Sequence, residues 1–71
     1  MTDIEMLKTA IADSGMTMVS ISEKAGIKRE TLYNRLKGIG EFTASEIVGL
    51  SDALHLKNAD RNRIFFAKNV E

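Results

Sequence analysis

Apolar residues recur every three or four positions through most of the chain, and no stretch alternates apolar and polar in twos. Ile4, Leu7 and Ile11 fall at i, i+3 and i+7, which lines them along one face of a helix. Thr2-Asp3-Ile4-Glu5 forms a capping box ahead of that stripe, with the Thr2 hydroxyl accepting from the third helical N–H and Glu5 reaching back to the Thr2 amide. Gly15 suits the left-handed residue past a helix end, so a first helix is expected over about residues 3–14. Thr17 then caps a second helix, Met18 to Ala25, with Val19, Ile21, Ser22 and Ala25 inward and Gly26 ending it. Ile27 packs down as the staple for a third helix, Arg29 to Lys37, whose Leu32 and Leu36 face inward at i, i+4. Gly38 closes it, and Lys37 meets the negative end of the helix dipole.

Thr43-Ala44-Ser45-Glu46 is a second capping box with Phe42 as its staple, and Ile47, Leu50 and Leu54 trace the buried stripe of a fourth helix. Asn58 is expected to cap a short fifth helix carrying Ile64, Phe65 and Phe66. Two rings at adjacent helical positions cannot point the same way. One is expected in the core, and the other is free for a dimer contact. The chain has no proline, and its five glycines, Gly15, Gly26, Gly38, Gly40 and Gly49, serve mostly as punctuation. The expected fold is all-α, five helices in a single domain spanning residues 1–71.

Length and composition narrow the chemistry. Seventy-one residues leave no room for a cofactor domain beside a substrate domain. Zero cysteines exclude disulfides and thiolate metal sites, and the one histidine, His55, cannot make a histidine cluster. His55 is most simply a residue favourable to the dipole at the end of the fourth helix. With no Ser-His-Asp set, phosphate-binding glycine loop or dinucleotide fingerprint, neither an enzyme, a cofactor nor a small-molecule ligand is expected. No apolar run approaches the roughly 18 residues needed to span a bilayer, and the N-terminus carries acid where a signal peptide needs base, so no membrane role is expected and the cytoplasm is the expected location.

Charge adds the decisive asymmetry. Ten bases balance ten acids overall, which is not the charge of a typical nucleic-acid binder. Between Ser20 and Gly38, however, five bases face two acids, a net +3, while residues 1–19 carry −2 and residues 39–71 carry −1. The cations are concentrated on the second and third helices. Lys28 also stands where a helix start favours Ser, Thr, Asp or Asn, and puts a cation beside Arg29 at the positive end of the dipole. Each such charge costs ~0.3–1 kcal/mol, and local rules broken without structural gain tend to mark function. Taken alone, a Lys-Arg pair also fits a solvated face.

The segment Met16-Thr17-Met18-Val19-Ser20-Ile21-Ser22-Glu23-Lys24-Ala25-Gly26-Ile27-Lys28-Arg29-Glu30-Thr31-Leu32-Tyr33-Asn34-Arg35-Leu36-Lys37-Gly38 resembles the helix–turn–helix core of the Cro and phage-repressor (xenobiotic-response-element) family. The Met-Thr opening, the Glu-Lys-Ala-Gly-Ile turn, the Thr-Leu-Tyr stretch and the Leu-Lys-Gly ending carry the likeness, which covers roughly residues 4–66 with the motif at about 17–37. It implies a lambda-repressor-like five-helix domain in a bacterial cell or phage-infected host. Three positions depart from the family pattern. Met18 replaces a glutamine that helps hold a phosphate, Ser22 replaces a small alanine, and Glu41 follows the third helix where a basic or polar residue is usual. Ser22 is small enough to preserve the packing, whereas Met18 and Glu41 predict weaker non-specific binding. Met18 is expected as exposed or half-buried packing.

The resemblance implies that the third helix lies in the major groove of double-stranded DNA. Lys28, Arg29, Glu30, Tyr33, Asn34 and Lys37 are then its outward positions. Arg29 pairs with guanine O6 and N7, Lys28 offers a point donor, Asn34 pairs with adenine and Glu30 accepts from cytosine N4, at ~1–3 kcal/mol of discrimination each. Thr17, Arg35 and Lys37 suit phosphate. Arg35 has a second reading as a salt-bridge partner, and Tyr33 fits either role. The expected function is a sequence-specific transcription regulator that binds a pseudo-palindromic operator as a weak homodimer, formed through the C-terminal helices or only on DNA. The alternative is the same fold used as a protein-interaction module, such as an antitoxin, antirepressor or accessory factor, favoured by the zero net charge, Met18 and Glu41.

Overall fold

The computed structural model describes residues 1–66. Five helices follow one another along the chain: α1 (Ile4–Ser14), α2 (Met18–Ala25), α3 (Arg29–Leu36), α4 (Ala44–Ala53) and α5 (Asn58–Phe65). Among the described residues there is no strand, and no helix is long and apolar enough to cross a membrane. The protein is all-α.

Every helix contributes to one apolar cluster. Leu7 of α1, Ile21 of α2, Ile27 of the following turn, Leu32 of α3, Leu50 of α4 and the Ile64-Phe65 pair of α5 are buried together. Leu7, Ile21, Leu32 and Leu50 are wholly enclosed, and side chains of this kind each contribute ~1.5–3 kcal/mol through burial. Phe42 meets Phe65 edge-to-face, with ring centroids 5.5 Å apart at 80°, an arrangement worth ~0.5–1.5 kcal/mol beyond its area. Phe66 turns out to solvent at 53% exposure, so the two adjacent rings do diverge.

The helix ends are set locally. The Thr17 hydroxyl accepts the Ser20 N–H at 3.1 Å, and Thr43 with Glu46 completes a full capping box. Three helices then end in the same two-bond Schellman closure. After α2, the Ile27 N–H donates to the Ser22 carbonyl at 3.0 Å and that of Gly26 to Glu23 at 3.3 Å. After α3, Ile39 donates to Asn34 at 2.9 Å and Gly38 to Arg35 at 3.0 Å. After α4, Leu56 donates to Ser51 at 2.9 Å and His55 to Asp52 at 3.2 Å. The third closure puts His55 at φ +55°, where the other two have glycine. An L-residue there is disfavoured by ~1–2 kcal/mol.

Four expectations need correction. The cap of α1 is Asp3, not Thr2: the Asp3 carboxylate accepts the Met6 N–H at 3.0 Å, while its own backbone N–H donates to the Ile64 carbonyl of α5 at 2.6 Å. That long-range bond fixes which of two competent residues caps. Asn58 does not cap α5, because the turn at His55 leaves Lys57 as the extended residue before the helix, with no side-chain cap bond. Val19, expected inward, is 42% exposed. Ile21 and Ser22 occupy the inward sector, and at about 100° per residue Val19 leaves the helix on nearly the opposite side from Ile21.

Gly49 is not punctuation either. It lies inside α4, where a Cβ would overlap the Ala25 carbonyl oxygen and fall 3.0 Å from its carbon and 3.2 Å from the Ala25 Cα. The backbones of α2 and α4 therefore touch with no side chain between them.

Candidate nucleic-acid interface

The end of α2, the Gly26-Ile27-Lys28 turn and α3 form the basic segment of the chain. Gly26 takes φ +71°, which reverses the chain direction, and Ile27 drops into the core beneath the turn. Lys28 begins α3 with φ −62° and ψ 141° and makes no side-chain cap bond, so the N–H groups of the first turn and the Lys28 and Arg29 side chains all open to solvent. Glu30 is the one acid in that turn and offsets part of the cost of placing cations there. Lys57 begins α5 in the same uncapped way, so the missing cap alone does not distinguish α3.

The arrangement of α3 as a whole does distinguish it. Arg29, Glu30, Tyr33 and Lys37 are exposed and, at about 100° per residue, occupy one sector of roughly a hundred degrees. Leu32 is buried and Thr31 half-buried away from that sector, and the half-buried Leu36 borders it next to Arg29. Tyr33 keeps 46% of its surface open. The exposed sector thus combines Arg29 and Glu30 at one end, an aromatic ring in the middle and Lys37 at the C-terminus, with the exposed Lys28 just ahead of the helix. Asn34, expected outward, is half-buried at the edge of the sector. Thr17 is exposed, but its hydroxyl is engaged in capping α2.

Arg35 follows the second of its two readings. Two residues past Tyr33, it leaves α3 about 200° away from that ring. Its Nε donates to Glu46 Oε1 at 3.3 Å and its Nη1 to the Ile39 carbonyl at 3.4 Å. A guanidinium committed in this way does not face the same direction as Arg29 and Tyr33.

The residues flanking the motif have clear roles. Met18 is half-buried against the core, and Ser22 is buried with its hydroxyl donating to the Val19 carbonyl at 2.9 Å, so the serine adds no unpaired polar group. One contributor was not apparent from the sequence. Lys8 of α1 lines an open, mostly apolar groove together with Tyr33 and Lys37, over a floor that includes Ile11, Met18 and Leu36. Only the folded chain brings Lys8 to the side of α3, where its one ion-pair contact among the described residues is a solvent-exposed 4.0 Å approach to Glu5. Such exposed pairs contribute little. Among the described residues no cluster of His, Asp or Glu has the form of a metal site.

A second surface lies elsewhere. Val48 of α4 and Phe66 after α5 are 56% and 53% exposed and share a mostly apolar groove with Phe42, Ile47 and Arg61. Comparison with family models, curated proteins and solved structures finds no match for this chain.

Proposed function

We propose that the protein is a sequence-specific DNA-binding regulator whose α2–turn–α3 unit is a lambda-repressor-like helix–turn–helix. In this reading α3 enters the major groove with Arg29 and Glu30 toward base edges, and Tyr33 and Lys37 follow along the groove. The observation that carries it is the single exposed sector of α3, where Arg29, Glu30, Tyr33 and Lys37 gather next to the exposed Lys28, on a chain whose remaining residues sum to a net negative charge. Phosphate attraction is local to that face, and Lys8 adds to it. One such face makes few phosphate contacts, so useful affinity calls for two copies on half-sites about 34 Å apart. The exposed Val48-Phe66 groove, on α4 and α5, supplies an apolar surface for that pairing. The regulator acts by occupying DNA and performs no chemistry.

Selection of bound duplexes from a random pool at low salt, with wild type and Arg29→Ala side by side, tests this. A two-half-site consensus is expected from the wild type, relaxed at one base position in the variant by ~1–3 kcal/mol. The rival reading, a protein-interaction module, is favoured by the net charge of zero and by the same Val48-Phe66 surface. Failure to enrich any duplex, together with a partner interaction indifferent to salt, would decide for it.

A further inference from the structure

The ion pair behind α3 has no part in reading bases. Arg35 and Glu46 are half-buried, with 21% and 17% of their side chains exposed. The Glu46 oxygen that accepts from Arg35 Nε at 3.3 Å also accepts the Thr43 backbone N–H at 3.0 Å, which closes the capping box of α4. The second arm of the guanidinium reaches the Ile39 carbonyl at 3.4 Å. Gly40, at φ +73°, passes so close that a Cβ there would lie 3.3 Å from Arg35 Cζ and nearer still to Nη1. One carboxylate oxygen therefore joins the end of α3 to the start of α4, and the connection between the two helices folds over the guanidinium.

We infer that Arg35 and Glu46 are positioning residues that fix the tilt and roll of α3 against α4, and with it the direction in which its exposed sector faces DNA. This rests on the DNA-binding reading. The rest of α3's attachment is apolar, through Leu32 and the half-buried Leu36. Apolar contact is non-directional and leaves a two-turn helix free to roll. A planar guanidinium that gives one arm to a carboxylate and another to a backbone carbonyl is directional and restores the constraint. The alternative role for Arg35, a direct phosphate contact, makes opposite predictions for the same substitutions.

The test uses the duplex selected above, with affinity followed by fluorescence anisotropy across a salt series. The temperature is one at which circular dichroism shows each variant fully helical. Glu46→Gln removes a negative charge but keeps one neutral oxygen for Thr43 and Arg35, so electrostatics alone would tighten binding. Positioning predicts a loss of about fivefold, because the bond to Arg35 falls from an ion pair to a hydrogen bond on a neutral amide. Arg35→Lys, which keeps the charge but lacks the fork, should lose about as much, with a salt slope equal to that of wild type. Arg35→Met combined with Glu46→Gln should be little worse than Arg35→Met alone, since both changes act on one interaction. Tighter or unchanged binding by Glu46→Gln overturns the proposal, as does a slope that becomes shallower by about one in Arg35→Met, the mark of a lost phosphate contact. Should Arg35→Met fail to fold, Glu46→Gln and Arg35→Lys still decide. A wild type that binds no duplex overturns the DNA-binding reading and this inference together, whereas a binding wild type with unaffected variants overturns this inference alone.

Discussion

Replacing Gly49 with alanine should destabilise the protein, although alanine is the better helix former by ~0.8–1.0 kcal/mol. The added methyl would overlap the Ala25 carbonyl oxygen and stand 3.0 Å from its carbon, against an ordinary carbon–carbon separation of ~3.5–4.0 Å. The obstacle is helix backbone, which has no rotamer to change, so α2 and α4 must move apart by something approaching 1 Å. A gap of ~0.5–1 Å forfeits a quarter to a half of each dispersion contact across it, and Ile21 and Leu50, wholly buried on these two helices, both depend on that packing. Overpacking of this kind costs ~1–3 kcal/mol. At the upper end, after crediting the propensity gain, the net loss is about 2 kcal/mol. For a domain of this size that lowers Tm by roughly 10 °C. Thermal and urea melts followed by far-UV circular dichroism measure it. Gly15→Ala is the control, since a Cβ there meets nothing within 4 Å and the only cost is that of φ +72°, about 1–2 kcal/mol. A Gly49→Ala protein that melts at or above the wild-type temperature would refute the close-contact argument.

Three further outcomes are expected. Asp3→Ala should cost ~0.5–2 kcal/mol through loss of the α1 cap while Thr2→Ala is nearly silent, and equal effects in a urea melt would contradict the capping geometry. His55→Gly should stabilise by about 0.5–1 kcal/mol, because relief of the left-handed strain exceeds the added entropy of the unfolded chain; a lower urea midpoint would count against the strain. Phe65→Ala should lose ~3–5 kcal/mol, much of what a chain this short has to lose, whereas Phe66→Ser should keep its Tm and weaken self-association in analytical ultracentrifugation. Unaltered association would remove the Val48-Phe66 surface from the dimer.

What could be foreseen divides along the distance over which each feature is decided. The limits of α2 were legible because Thr17 and Gly26 act within a few residues of themselves. The exposed sector of α3 was legible for a related reason: periodicity alone separates Arg29, Glu30 and Tyr33 from Leu32. Thr2 and Asp3 can both cap, and the choice between them is made by the Ile64 carbonyl at the other end of the chain. Gly49 reads from the sequence as one more punctuating glycine, because its reason, the Ala25 backbone, belongs to another helix. Arg35 left two readings open, since a cation on a basic segment suits phosphate as well as it suits a carboxylate. Its partner Glu46 already had a complete local role in the second capping box. Lys8 lies far from the motif in sequence, and nothing in its neighbours pointed to α3.

The three Schellman endings have a kinetic consequence. A chain whose helices are told where to stop by bonds spanning five residues needs few distant encounters before most of its structure exists. Small helical proteins with such local contacts fold in microseconds to milliseconds. At ~0.05–0.15 kcal/mol per residue, this one has only a modest stability to hold it folded. Rapid refolding combined with modest stability means that the chain opens and recloses many times before a protease can act on it. Its lifetime in a cell would then follow the equilibrium fraction unfolded and not the unfolding rate. Each substitution that shifts stability, at Gly49, Asp3 or His55, would change the amount of protein present as well as its melting point.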